Sequence, residues 1–305
     1  MLSTLINMFA LIALGLIWSW LNPSQLDNTT VRKVLTDTVY FIFLPALVLK
    51  VLWQTDLNID SIKIALIAAT CVLAALATSL FICRHCKTQK QVTGAIVLAA
   101  AFPNATYLGY PVLTNTLGPW AGAIAIQFDL FACTPLLLTI GVLLAAQHGD
   151  HHIKPHPLQL LLKVPPLWAA LLAVCLNLAA VTPPTQLIDL LAIMASAVVP
   201  IMLFVIGLAL KQGLTQTQYL KTVTPVLAIQ LFLMPALALG MTALLQTSAD
   251  IRHAVVLEAA MPSMALGVVL CDRYGLNTGI YAAAVTASTL LSLVTLPLWH
   301  GWLTA

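Results

Sequence analysis

Ala101-Phe102-Pro103-Asn104 interrupts one long apolar stretch, and Ala260-Met261-Pro262-Ser263 interrupts another near the end of the chain. The likeness extends outward. The nine residues from Ala95 to Pro103 read against those from Ala254 to Pro262, Leu108-Gly109 against Leu266-Gly267, and Gly118 and Gly122 against Gly275 and Gly279. Paired, proline-interrupted hydrophobic segments at matching positions in two halves of a chain point to a transporter's binding site.

Hydrophobic residues make up 61% of the 305 positions and charged residues 8%, where a soluble domain carries about 25% charged. The composition is that of an integral membrane protein. A hydrocarbon core of about 30 Å needs about 20 apolar residues per helix. Ten such windows are expected: Leu2 to Leu21, Val31 to Leu52, Ile62 to Cys83, Val92 to Thr116, Trp120 to Ala146, Leu158 to Ala180, Leu187 to Leu210, Thr222 to Leu245, Ala254 to Leu270 and Thr278 to Trp302. The alternating pattern of a membrane barrel is absent, so the expectation is an all-α membrane protein of ten spans.

Span one has no basic residue ahead of its apolar run and no small-residue cleavage site, so it reads as a helix rather than a removed signal. The six cysteines lie mostly in apolar spans without a regular framework. Cys83 and Cys86 lack the second ligand pair of a structural zinc site, so no metal site and no cofactor are expected. The lysines and arginines sort by loop. Arg32, Lys33, Arg84, Lys87, Lys90, Lys154, Lys163, Lys211, Lys221 and Arg273 fall on one side; Lys50, Lys63 and Arg252 fall on the other. Basic loops stay cytoplasmic, which places both termini outside, in the periplasm if the membrane is a bacterial inner membrane.

The polar stretch 147–157, with His148, Asp150, His151, His152, Lys154 and His156, separates five spans from five. It reads as a solvated cytoplasmic linker; a histidine-rich tract is only a compositional metal signal. Five spans in each half force the halves, 1–146 and 158–305, to insert in opposite senses as inverted repeats. Pro45 in span two then matches Pro200 in span seven, as Pro103 matches Pro262.

Proline removes a backbone donor and clashes with the preceding turn, freeing carbonyls that lipid cannot satisfy. In span four, Pro103, Gly109 and Pro111 fall within one short stretch; in span nine, Pro262 and Gly267 do the same. Half-helices ending there present positive N-termini and negative C-termini inside the membrane. Ordinary proline kinks are the plainer explanation, but the symmetric recurrence beside Asn104 and Ser263 favours a site.

Asn104 to Pro111, with asparagine, glycine and proline at its first, sixth and eighth positions, resembles the helix-four signature of the auxin efflux carrier family. Ala260 to Ser263, Tyr274-Gly275, Thr289 to Pro297 and Phe43 to Ala46 are similar to further segments of that family, and the resemblance runs along nearly the whole chain. It implies the fold shared with bile acid sodium symporters: a scaffold at about 1–55 and 158–212, a transport core at about 60–146 and 220–303, and crossing of spans four and nine in the core. It also implies elevator-like movement and small organic anions as substrates, with malate or malonate for bacterial relatives and auxin for plant ones. A homodimer through the scaffold is the expected assembly. This chain lacks a long central hydrophilic loop, and Gly267 stands near where plant carriers have a second proline.

Few ionisable residues lie at membrane depth, where a charge costs at least about 2.5 kcal/mol. Asp129 in span five and Glu258, one helical turn before Pro262, are the clearest. Either could couple a proton to transport. The alternatives are a structural Asp129 held by hydrogen bonds and a Glu258 near enough to the outer end of span nine to reach interfacial water. Asn104, Thr106, Tyr107, Gln127, Ser263 and Met264 are the candidate substrate contacts, since neutral donors and half-helix N-termini can hold a carboxylate without a buried lysine. Pro103, Gly109, Pro111, Pro262 and Gly267 shape the crossover backbone. Gln230 reads as a helix-to-helix hydrogen bond, worth about 0.6 kcal/mol in membranes.

The leading expectation is a secondary carrier for a small organic anion, using H+ or Na+ as coupling ion. An uncoupled uniporter or channel, or a membrane receptor for a small acid, is the alternative. No phosphate-binding loop and no hydrolase motif is present, so neither ATP hydrolysis nor enzymatic activity is expected. The partners expected are the bilayer and the anion, with no nucleic acid.

Overall fold

Long apolar runs with few helix-breaking residues form helices, and prolines decide where those helices widen or stop. The structure, a computed structural model, describes residues 2–23, 25–150 and 156–304. His151, His152 and Lys154 of the linker lie outside the described residues. The helices are α1 (Leu2–Leu21), α2 (Asn28–Trp53), α3 (Ile59–His85), α4 (Lys90–Ala101), α5 (Tyr110–Leu117), α6 (Pro119–His148), α7 (Pro157–Leu162), α8 (Pro165–Leu178), α9 (Thr185–Leu214), α10 (Thr217–Leu244), α11 (Ala249–Ala259), α12 (Gly267–Tyr274) and α13 (Thr278–Thr304). No strand occurs among the described residues; one isolated antiparallel bridge joins Pro103 and Ser263.

Among the described residues six helices, α2, α3, α6, α9, α10 and α13, are long and apolar enough to cross a membrane. Shorter apolar helices include Leu5–Leu21 of α1, α4 and α8. Their outward faces are oily: Phe81 is 71% exposed and Ile193 72%. Such surface needs lipid rather than water around it.

Among the described residues five turns widen to π-helix; that at Leu137–Gly141 precedes no proline, and the other four share one cause. Turns of π-helix at Val39–Phe43, Ala105–Gly109, Asp129–Cys133 and Ile229–Leu233 each end two residues before a proline, at Pro45, Pro111, Pro135 and Pro235. The proline ring cannot accommodate the carbonyl one turn back, so the helix takes in an extra residue there instead of kinking sharply. Helix ends are set by ordinary caps. Asp27 accepts from the Thr30 amide, Asn58 from Asp60 and Ser248 from Ile251.

One expectation needs correcting. The window from Leu158 to Ala180 is not a single helix: α7 stops at Leu162 and α8 begins at Pro165. Pro165 and Pro166 cannot donate to the preceding turn, and proline is favoured where a helix starts. The windows from Val92 to Thr116 and from Ala254 to Leu270 are each two helices as their proline interruptions predict, α4 with α5 and α11 with α12.

Buried side chains fall into three clusters. The largest joins α3, α4, α6, α10, α11, α12 and α13, with Ile67, Leu98, Phe128, Val226, Leu257 and Tyr281 among its members. The second packs α2, α8 and α9 together and takes in Ile126 and Leu130 of α6, with Tyr107, Tyr110 and Phe131 packed against it. In the third, Leu5, Met8 and Ile12 of α1 and Leu203 and Ile206 of α9 meet Leu108, Val112 and Met261. The last two clusters bring the α1, α2 and α9 layer against the segments that follow Pro103 and precede Pro262.

Candidate functional site

Pro103 has no amide hydrogen, so the Ala99 carbonyl one turn back loses its helical donor. The Ser263 hydroxyl takes that place, donating to the Ala99 oxygen at 2.7 Å. The two interrupted segments pass each other as a minimal antiparallel pair. The Asn104 amide donates to the Pro262 carbonyl at 2.7 Å, and the Met264 amide to the Phe102 carbonyl at 3.0 Å. Neither proline could donate; the donors are Asn104, next after Pro103, and Met264, two residues after Pro262. Further donors close the set: Gln230 Nε2 to Met261 O at 2.9 Å, the Ser263 amide to Ser288 Oγ at 3.1 Å, and the Tyr281 hydroxyl to Met264 O at 2.9 Å. Beyond the pair, the Asn104 carbonyl accepts from the amides of Leu108 and Gly109 and starts the turn that leads into α5. Backbone that lipid could not solvate is thus satisfied inside protein.

Asp129 sits beside this crossing. Its carboxylate accepts from Thr106 Oγ1 on the span-four side and from Thr134 Oγ1, one turn along α6, at 2.7 Å. A cavity of about 80 Å³ opens there. Its polar lining comes from Asn104, Thr106, Tyr107, Asp129 and Thr134, with Phe102, Pro103, Cys133 and Met264 alongside. The opposite wall comes from Tyr40 and Leu44 of α2 and from Val164 and Pro166 at the α7–α8 break. The cavity therefore lies between the crossing and the helices of the second cluster. Among the described residues no lysine, arginine or histidine lines it.

Of the six candidate contacts, Asn104, Thr106, Tyr107 and Met264 line this cavity, whereas Gln127 and Ser263 do not. The Ser263 hydroxyl is used in holding the crossing. Gln127 is buried, with its Oε1 unpartnered. Among the backbone-shaping residues Pro103 lines the cavity. Pro111 follows the π turn, Pro262 provides the carbonyl that Asn104 grips, and Gly267 starts α12 against the Tyr281 ring.

Glu258 occupies a separate position. It is fully enclosed, which removes the alternative that it reaches interfacial water, and neither carboxylate oxygen has a hydrogen-bond partner. A side-chain carbon built on Gly109 would fall 2.2 Å from Glu258 Oε1, so the carboxylate lies flat against that glycine's backbone. Gln230 Oε1 is a further buried oxygen without a partner. Such groups are rare in folded proteins, and a water, an ion or, for the carboxylate, a proton would satisfy them.

A family described as "Membrane transport protein" matches residues 1–300. The chain belongs to the auxin efflux carrier family. Among curated proteins it is similar to an uncharacterized transporter of Methanothermobacter thermautotrophicus, 28% identical over 301 residues, covering 97% of this chain and 96% of the relative. It is also similar to an uncharacterized transporter of Methanocaldococcus jannaschii, 23% identical over 279 residues and 89% of each chain. As a carrier-family member it is a multi-pass membrane protein, and the crossing of its proline-broken segments carries the polar cavity.

Thr134, Tyr40 and Ser288 were not legible as site residues. Thr134 was readable in principle from its spacing of five from Asp129, which a π turn places on one face. Tyr40 and Ser288 come from distant helices, and nothing local to them marks the meeting.

Proposed function

We propose that this protein is a secondary active transporter that moves a small organic anion, a carboxylate such as a dicarboxylate or an auxin-like acid, across the bacterial inner membrane. The observation that carries this reading is a cavity at the crossing, lined among the described residues by neutral donors and one carboxylate and by no cation. An anion beside an ionised Asp129 meets repulsion in a low-dielectric setting that no nearby positive charge relieves. Entry of the anion together with a proton on Asp129 removes that conflict. The acid form then becomes a donor to the substrate. This is proton-coupled symport, with Asn104 and the hydroxyls of Thr106 and Tyr107 as the remaining polar contacts.

The buried carboxylate of Glu258 supports Na+ as the other coupling ion, since hard cations take oxygen ligands. In either case the ten spans form two inverted five-helix repeats with both termini periplasmic. The core at about 60–146 and 220–303 moves against the scaffold at about 1–55 and 158–212 in an elevator-like cycle, and the scaffold helices pair two copies. The separation of buried side chains into distinct clusters supports that division. Counterflow in proteoliposomes tests the carrier reading: labelled malonate accumulates against unlabelled malonate through a carrier. A receptor accumulates none, and an uncoupled channel or uniporter gives no net uptake in response to an imposed proton or sodium gradient.

A further inference from the structure

A second cavity, of about 300 Å³, lies where α3 ends and α4 begins. Arg84, Lys87, Lys90 and His148 line it, with the buried Cys83 and Thr93 beneath. The local chain explains the gathering of charge. The turn after α3 closes with Lys87 N–H donating to the Arg84 carbonyl at 3.2 Å and Thr88 N–H to the Cys83 carbonyl at 3.0 Å, with Lys87 in the left-handed region at φ 52°. Three permanent cations thereby surround one tight turn. Gln89 precedes α4 without a side-chain cap, so the first amides of that 12-residue helix remain as additional donors. His148 Nδ1 lies 2.9 Å from the Leu144 carbonyl, which requires a proton on Nδ1 and leaves Nε2 for the cavity.

Among the described residues no carboxylate lines this cavity. Asp150, the nearest acid in sequence to His148, is held by Gln91 Nε2 at 2.6 Å. Basic loop residues could serve only to orient the chain, but orientation requires no cavity and no convergence of three cations with a histidine. Below the cavity, α3 presents Phe81 and Leu73, which are 71% and 44% exposed. Spacings of three and eleven residues from Arg84 put these side chains on its side of the helix, within about 16 Å along the axis. The face is an apolar track that ends in a positive cavity.

We propose that this cavity binds the phosphate of an anionic phospholipid, with an acyl chain lying along the exposed face of α3. Basic pockets between membrane helices take anionic headgroups, and each Lys or Arg near an anionic membrane surface is worth roughly five-fold in affinity. The apolar track distinguishes a lipid from free phosphate, which would use the charges alone.

Native mass spectrometry of the full chain in delipidated detergent tests this, with dioleoylphosphatidylglycerol, dioleoylphosphatidylcholine and inorganic phosphate titrated separately. Phosphatidylglycerol is expected to bind selectively. The triple variant Arg84→Gln, Lys87→Gln, Lys90→Gln should weaken that binding roughly 100-fold, and Lys87→Gln or Lys90→Gln alone roughly five-fold, from the same per-charge value. Neutralising Lys33, Lys163 and Lys221 by the same substitution should leave it unchanged. Equal weakening by that control, no weakening in any cavity variant, or inorganic phosphate binding as tightly as the lipid would each overturn the assignment.

Discussion

Replacing Ser263 by alanine removes one oxygen and leaves the Ala99 carbonyl with no donor, because Pro103 cannot supply one. An orphaned buried acceptor costs about 1–3 kcal/mol. Hydrogen bonds between membrane helices average only about 0.6 kcal/mol, because the unfolded chain in lipid also finds partners. The larger value should apply here, since the carbonyl is freed by the covalent structure of the chain. Ser292 provides the comparison. It is equally buried and donates at 2.6 Å to the Thr289 carbonyl, but that carbonyl lies inside the continuous helix α13 and keeps its ladder donor. Ser263→Ala is therefore expected to lower stability by about 2 kcal/mol more than any effect of Ser292→Ala. Unfolding in mixed micelles, followed by tryptophan fluorescence, measures both. Equal losses for the two variants would refute the idea that Ser263 replaces the proline's missing donor.

Gly109→Ala places a carbon against Glu258 Oε1 and should cost about 1–3 kcal/mol through overpacking; in a Glu258→Ala background the same substitution should cost less than half as much, which a double-mutant cycle on unfolding midpoints reads directly. Tyr281→Phe removes the donor to Met264 O and should destabilise by about 1 kcal/mol, with the loss absent if that carbonyl finds water instead. Thr106→Val removes one of Asp129's two hydroxyl partners. It should reduce malonate uptake at least ten-fold while leaving chain insertion and dispersity on a sizing column unchanged.

The two proline-broken segments were readable from sequence because proline acts locally and leaves a fixed mark. The same logic would have found the π turns before Pro45, Pro111, Pro135 and Pro235 and the stop at Pro165-Pro166, which apolar window length alone hid. Asp129 and Glu258 stood out because charge is rare in apolar spans. Their different surroundings did not. Whether a carboxylate meets two threonines or the bare backbone of Gly109 depends on which helices lie alongside, and the partners are up to about 150 residues away in sequence. The use of Ser263 within the crossing, rather than in the cavity, has the same origin: its acceptor, Ala99, lies in the other half of the chain.

The central claim is that an organic anion and a proton share the cavity beside Asp129. Its most direct measurement is labelled malonate transport in proteoliposomes carrying either the unaltered chain or Asp129→Asn, with and without an imposed inward proton gradient. Gradient-driven accumulation is predicted for the unaltered chain. For Asp129→Asn, exchange of labelled for unlabelled malonate should persist while the proton gradient no longer drives net uptake. Full gradient-driven accumulation by Asp129→Asn, or absence of any malonate movement through the unaltered chain, would contradict the account.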